Sequence, residues 1–449
     1  MFQIPLKVYL YLWKNIAMSK IITDLGIHRQ FENALSSLNI SEATEIQLQV
    51  VPYILNETED LIALAQTGTG KTAAFGLPLL QMVNTHTDSL QTLILAPTRE
   101  LAQQIFKNLN DYAQDSPSIE IALFTGGDAI KDQVERLKSG VHIAIATPGR
   151  LLDLVNQNVF HVDEIEHLVL DEADEMIQSF EKELIEVLTL LPKKKRSYLF
   201  SATMSGELKN IVHNYMSKNP MYITSEMENL GKKDIQHQYL VVEPIEKLDV
   251  LLHFLSTQDG KSGIIFCRTK AAVNKLAKNL AKRKISSGAL HGSLTQGIRD
   301  RIMDQFREGH INILVATDLV ARGIDVKELG FVVNYHLPAT HSTYVHRSGR
   351  TGRAGAKGLS MTILQKEEVE QIPVFEEALE IQFDKIEKAT AKDISSNNAV
   401  VWANKVLKTK LEKDIPESTK QEVMSVFNRL SKDELIDKLL SNYWKENKK

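Results

Sequence analysis

Cysteine is nearly absent from this chain. Cys267 stands alone among 449 residues, so no disulfide can form within the chain, and a disulfide-stapled fold is excluded. A single thiol fits a reducing compartment, and the expected location is cytoplasmic. No apolar run approaches the roughly eighteen residues that a membrane span needs, so no membrane partner is expected. Charge of one sign is lacking as well: 53 Lys and Arg stand against 57 Asp and Glu, for a net of -4. Any contact with nucleic acid must therefore come from local surfaces and not from bulk attraction. There is no Arg/Gly/Ser-rich tail. What remains, 43% hydrophobic and 24% charged, is the composition of an ordinary globular protein, with length for roughly two to four domains. Met1 to Ala17 resembles a signal peptide poorly, and recognisable pattern begins only at Ile21, so Met18 is expected to be the natural start.

From Ile22 to Asn56 apolar residues recur at helical spacing. Then short apolar runs alternate with helical segments: Leu61 to Ala65, Thr92 to Ala96, Ile119 to Phe124, His142 to Ala146, Leu168 to Leu170 and Ser197 to Phe200. After the polar stretch Glu226 to Asp234, a candidate linker, a second series follows. It runs through Gln238 to Val242, Gly263 to Cys267, Ile285 to Leu290, Ile311 to Ala316, Phe331 to Tyr335 and Leu359 to Leu364. Such alternation predicts an α/β fold of two parallel sheets, each covered by helices on both faces. The expected division is an N-terminal extension over residues 1–20, a first domain over 21–228, a second over 229–372 and a helical C-terminal extension over 373–449.

The octet Ala65-Gln66-Thr67-Gly68-Thr69-Gly70-Lys71-Thr72 follows the first apolar run and opens a helical pattern. Glycines let several backbone N–H groups converge on one anion, the lysine adds a mobile charge, and the threonine hydroxyl can ligate Mg²⁺. The strict phosphate-loop pattern has Gly where Ala65 stands, so the match is to a variant. About a hundred residues on, Leu168-Val169-Leu170-Asp171-Glu172-Ala173-Asp174 ends a strand in carboxylates. Asp171 is placed to hold Mg²⁺ and Glu172 to deprotonate an attacking water, although an acidic helix start would look the same. In the second series, His346-Arg347-Ser348-Gly349-Arg350-Thr351-Gly352-Arg353 spaces arginines by three among glycines. It is either a basic surface turn or a set of arginine fingers for a transferring phosphoryl group.

With these motifs in order, the chain resembles a DEAD-box RNA helicase of superfamily 2, bacterial type, over about Ile22 to Gln365. The resemblance also rests on Pro97 to Ala102, Thr125-Gly126-Gly127, Thr147 to Arg150 and Ser201-Ala202-Thr203. It continues through His291-Gly292, Gln296 with Arg299, and Ala316-Thr317-Asp318 running into Arg322-Gly323-Ile324-Asp325. It implies two tandem RecA-like domains, RNA-stimulated hydrolysis of ATP with Mg²⁺, and local separation of short RNA duplexes or remodelling of RNA–protein complexes. An ATP-gated RNA clamp with little unwinding is the alternative. Lys71, Glu172, Arg350 and Arg353 match catalytic positions. Gln47 matches the adenine-reading glutamine; with the octet and the ribose position Asp325 it completes the nucleotide set. Thr72 and Asp171 match the metal positions. Asp174, Ser201, Thr203, His346 and Arg347 match residues that couple the two domains. Arg99, Gly127, Thr147, Arg150, His291, Thr317 and Gly323 match positions that grip RNA backbone without reading bases. The extension resembles those of bacterial members, which points to ribosomal precursors or RNA decay and equally to a dimerisation helix or a cap.

Some positions depart from the family. Ile22 stands for an aromatic, Asn39-Ile40 for a Gly-Phe pair and Ala43 for a proline, so weaker stacking on adenine and a low ATP affinity are expected. Glu175 stands where arginine is common, and Ser348 replaces an apolar residue.

Overall fold

The computed structural model describes residues 22–38, 40–65, 68–224, 235–258, 260–318, 329–352, 357–388 and 415–446, with isolated residues between 399 and 409. The proposed linker, the first twenty residues, Asn39, Gln66, Thr67, Gly323, Asp325 and Arg353 lie outside them.

The first domain is one parallel sheet of β1 (Leu61–Leu64), β2 (Thr92–Leu95), β3 (Ile121–Phe124), β4 (Ile143–Ala146), β5 (His167–Leu170), β6 (Arg196–Ser201) and β7 (Met221–Thr224), in the order β3-β4-β2-β5-β6-β1-β7. β2, β4 and β5 are buried along their whole length, so each reads as an unbroken apolar run and not as an alternation. Separate cores fill the two faces, one around Phe75, Leu109 and Phe200, the other around Leu152, Met176 and Leu184. Asp60, just before β1, ties neighbouring segments together by accepting from Ser197 N at 2.7 Å and Ser217 N at 2.6 Å.

The second domain repeats the plan with β8 (Ile235–Val241), β9 (Gly263–Phe266), β10 (Ser287–Leu290), β11 (Ile313–Ala316), β12 (Phe331–Asn334), β13 (Gly358–Leu364) and β14 (Phe383–Lys385), in the order β10-β11-β9-β12-β13-β8-β14. β13 pairs with β8 over seven residues, from Gly358 opposite Ile235 to Leu364 opposite Val241.

Two edge strands depart from the sequence reading. β7 continues the first sheet beside β1, and β14 joins β8 in register from Phe383 opposite His237. The second sheet therefore runs past residue 372, where the sequence pattern ends it. Phe383 supplies the reason: it buries against Tyr239 and Tyr344 and so pulls three residues into the sheet. Beyond it, helices Glu417–Phe427 and Lys432–Glu446 form the C-terminal extension, and Trp402 stacks on Tyr443 with centroids 4.9 Å apart. No helix among the described residues is long and apolar enough to cross a membrane.

Candidate active site

The unusual residues gather at the carboxyl ends of the strands, where open parallel sheets leave a crevice. β1 ends at the octet: Ala65 N donates to Ser201 O at 2.9 Å, and the chain then turns into the helix Lys71–Met82. Gly68 and Gly70 adopt φ of +87° and +88°, backbone that other residues reach only with strain. Gly70 also faces Gln47, whose Nε2 donates to Gly70 O at 3.0 Å while its Oε1 accepts from Thr44 N at 2.9 Å. Gln47 thus belongs to a capping box and braces the loop at once. Lys71 is buried, donates to Ala65 O at 3.2 Å and lies 3.9 Å from Asp171 Oδ1. Thr72 and Thr69 are half-buried beside it. Ile22 is buried in the first-domain core with Phe31 and Leu35, and its N–H donates to Ser41 O at 3.2 Å, on the segment that leads to Gln47.

β5 delivers Asp171 and Glu172, both buried. Burial pushes the Asp171 carboxyl up to about 6, with Lys71 pulling the other way. Glu172 has φ of +50° and caps the helix Ala173–Leu190, and its buried Oε2 has no hydrogen-bond partner. A buried carboxylate oxygen without a hydrogen-bond partner is a poor structural element and a serviceable base.

Asp174 joins the domains. Its Oδ2 accepts from Thr203 N at 3.1 Å and Thr203 Oγ1 at 2.8 Å, and from Ser342 Oγ and His346 Nε2 of the second domain, each at 3.3 Å. Although burial would raise it, the His346 imidazole and the Thr203 hydroxyl hold Asp174 well below the usual carboxylate range. Ser201 Oγ donates to Thr203 O at 2.7 Å, which fixes the turn that carries Thr203. Arg347 differs from the reading that paired it with His346 as a link between domains. Its guanidinium is spent inside the second domain on Asp318, on Asn334 Oδ1 at 2.9 Å and on His336 O at 3.0 Å, and it lies over the Phe266 ring. Arg350 is buried, and its Nε donates to His346 O at 3.3 Å. Ser348, where the family pattern is apolar, is buried with its hydroxyl turned back onto Tyr344 O at 2.8 Å.

A cleft of about 450 Å³ between the domains collects Arg99, Gly127, Thr147 and Arg150 from one side and Gly292 and Arg299 from the other. Arg99 donates to Gly126 O and, at 2.6 Å, to Asp128 Oδ1; Arg150 donates to Asp128 O at 3.1 Å and Gln133 Oε1 at 2.9 Å. Arg299 forms an ion pair with Glu100 across the cleft. His291 lies nearby, buried, with Nε2 3.1 Å from Asn274 Oδ1, and Thr317 N donates to Leu290 O at 3.2 Å. Sequence reasoning missed Asp128, Gln133, Ser342 and Phe180. Phe180 lines the cleft where the helix Ala173–Leu190 departs from helical angles. Only Asp128, just after the Gly126-Gly127 turn, carries a local signal.

Two RecA-like sheets, with a phosphate loop in the first and an arginine-bearing helix of the second packed against its acidic strand end, define a two-domain nucleotide-dependent motor. The DEAD/DEAH box helicase family matches residues 44–211, the helicase conserved C-terminal domain residues 246–355, and the helical domain of a probable ATP-dependent RNA helicase residues 394–444. The DEAD-box ATP-dependent RNA helicase CshA of Bacillus cereus is 38% identical over 387 residues, 86% of this chain and 73% of that protein. CshA of Bacillus subtilis is 35% identical over 399 residues, 89% of this chain and 80% of that protein. Among solved structures, S. cerevisiae Dbp5 bound to RNA and ADP BeF3 superposes with a TM-score of 0.75 at 31% identity, covering 87% of this chain and 100% of that one. The DEAD-box helicase Mss116 bound to ssRNA and UDP-BeF gives 0.73 at 25% identity, covering 89% of this chain and 84% of the other. The chain belongs to the DEAD-box ATP-dependent RNA helicases.

Proposed function

We propose that this chain hydrolyses ATP when RNA is bound and uses domain closure to separate short RNA duplexes locally. The observation that carries this reading is the junction at Asp174, where one carboxylate two residues from Glu172 takes donors from both domains. In this reading Gly68, Gly70 and Lys71 cradle the phosphates and Gln47 faces the adenine. Glu172 accepts the proton of the attacking water, and Arg350 with Arg353 meets the charge on the γ-phosphoryl. The unpartnered Oε2 of Glu172 and the left-handed glycines support that fit. Among the described residues no three His, Cys, Asp or Glu side chains converge on a metal cage. Thr72 with Asp171 is instead the kind of partial site that Mg²⁺ completes with phosphate and water. When bound, the ion would neutralise phosphate charge.

Arg99, Gly127, Thr147 and Arg150 of the first domain, with His291, Thr317 and Gly323 of the second, would hold sugar and phosphate, a grip indifferent to sequence. A strand bent by the first domain cannot stay in a duplex, and phosphate release reopens the cleft. The deciding experiment measures phosphate release with RNA, with DNA and with neither, alongside strand separation of a short RNA duplex. RNA-specific stimulation with separation is expected. Equal stimulation by DNA defeats the reading, and stimulation without separation makes the protein an ATP-gated clamp.

A further inference from the structure

We propose that Glu175 is a positioning residue for domain closure: with Asp174 it holds the His346 imidazole as a charged link between the two domains. This rests on the reading above, in which the closed arrangement is the hydrolytic one.

Glu175 lies in the first turn of the helix Ala173–Leu190 and is completely buried. His346 Nε2 lies 3.4 Å from Glu175 Oε1 and 3.3 Å from Asp174 Oδ2, and its Nδ1 has no hydrogen-bond partner. One N–H therefore faces two carboxylates from the opposite domain. A neutral ring offers that pair a single shared hydrogen and no charge, whereas an imidazolium answers both. Two carboxylates out of water against one ring favour its charged form over its neutral one.

The surrounding charges act in both directions. From the first domain, Asp174, Glu175 and Glu172 face the ring; in its own domain Arg350, just past the end of the helix, donates to the His346 carbonyl, and Arg347 is held by Asp318. Burial opposes the charged ring, Asp174 and then Glu175 favour it, and the net direction is upward from the ordinary histidine value. In the reading above, opening the cleft withdraws Asp174 and Glu175 from the ring. Closure therefore takes up a proton, its stabilisation is complete below the open-state value, and it is lost as pH rises through the closed-state value.

The test follows interdomain distance by energy transfer between one dye on each domain of the full chain. Single-stranded RNA and a non-hydrolysable ATP analogue are present, from pH 6 to 9. The wild type is expected to open as pH rises. Glu175→Gln keeps the shape and removes the charge, and it should lower the midpoint by about one pH unit, or about tenfold in the closing equilibrium above it. The same variant should raise the RNA concentration for half-maximal phosphate release more than it lowers the maximal rate. On a His346→Gln background, Glu175→Gln should add nothing. Should that double variant not fold, the midpoint shift of Glu175→Gln decides alone. A wild type that never closes overturns the proposed function and this inference together. A wild type that closes, with a Glu175→Gln midpoint equal to it, overturns the inference alone.

Discussion

The side-chain amide of Gln47 donates to the carbonyl of Gly70 across 3.0 Å and fills the space that a Cβ at residue 70 would enter. Since Gly70 also holds φ of +88°, alanine there meets both strain and overlap. The left-handed penalty alone is about 1–2 kcal/mol. Gly70→Ala is expected to weaken ATP binding by at least about tenfold, read by titration calorimetry. Wild-type affinity in that variant would mean the loop can move away from Gln47 without cost.

Glu172→Gln should separate binding from chemistry. Its Oε2 is buried without a hydrogen-bond partner, so the neutral amide breaks no bond at that atom and relieves a buried charge. ATP and RNA binding and the melting temperature are expected to hold, while phosphate release falls by about 10² to 10⁴. Turnover within a few fold of wild type would take the role of base away from Glu172.

Strands buried on both faces announce themselves as apolar runs, which is why β2, β4, β9 and β11 stood out in the sequence. A phosphate loop is equally plain, because its geometry demands glycine at fixed spacing. β14 has three residues and buries one, too little for either period to show. Ser342 was invisible for another reason: its partner Asp174 is 168 residues away, and no local pattern marks a hydroxyl whose acceptor arrives by tertiary packing. The same holds for Arg347, where only the fold reveals that Asp318 and not the first domain is the partner.

Gly127 controls how Arg99 is presented to the cleft. With φ of +96° and the Arg99 guanidinium against its Cα, residue 127 has no room for a side chain. Gly127→Ala is expected to displace Arg99 from Gly126 O and Asp128 and to weaken RNA binding by about tenfold, the worth of one charge-assisted contact. ATP binding without RNA should not change. Fluorescence anisotropy of a labelled single strand, with a non-hydrolysable ATP analogue present, gives the answer. An unaltered RNA affinity would remove Arg99 from the grip.

His237 makes the second domain sensitive to acid. It is buried at the centre of β8 with Nδ1 2.7 Å from Tyr344 Oη, a buried hydroxyl that also lies 3.1 Å from Ser360 Oγ. Burial pushes its imidazole down to about 4, against a smaller opposing pull from Asp384. The fold therefore keeps the ring neutral, while the unfolded chain takes a proton near pH 6.5. Between those two values the unfolded state binds more protons, so stability falls as pH drops through that window, by at most about 3 kcal/mol. His336, which burial likewise lowers to about 4, acts in the same direction but is only half-buried and contributes less. Urea midpoints of the second-domain transition at pH 6.5, 5.5 and 4.5 are expected to decline in the wild type and to decline less in His237→Asn. If the two declines coincide, His237 accepts its proton inside the fold, and the pairing with Tyr344 tolerates an imidazolium.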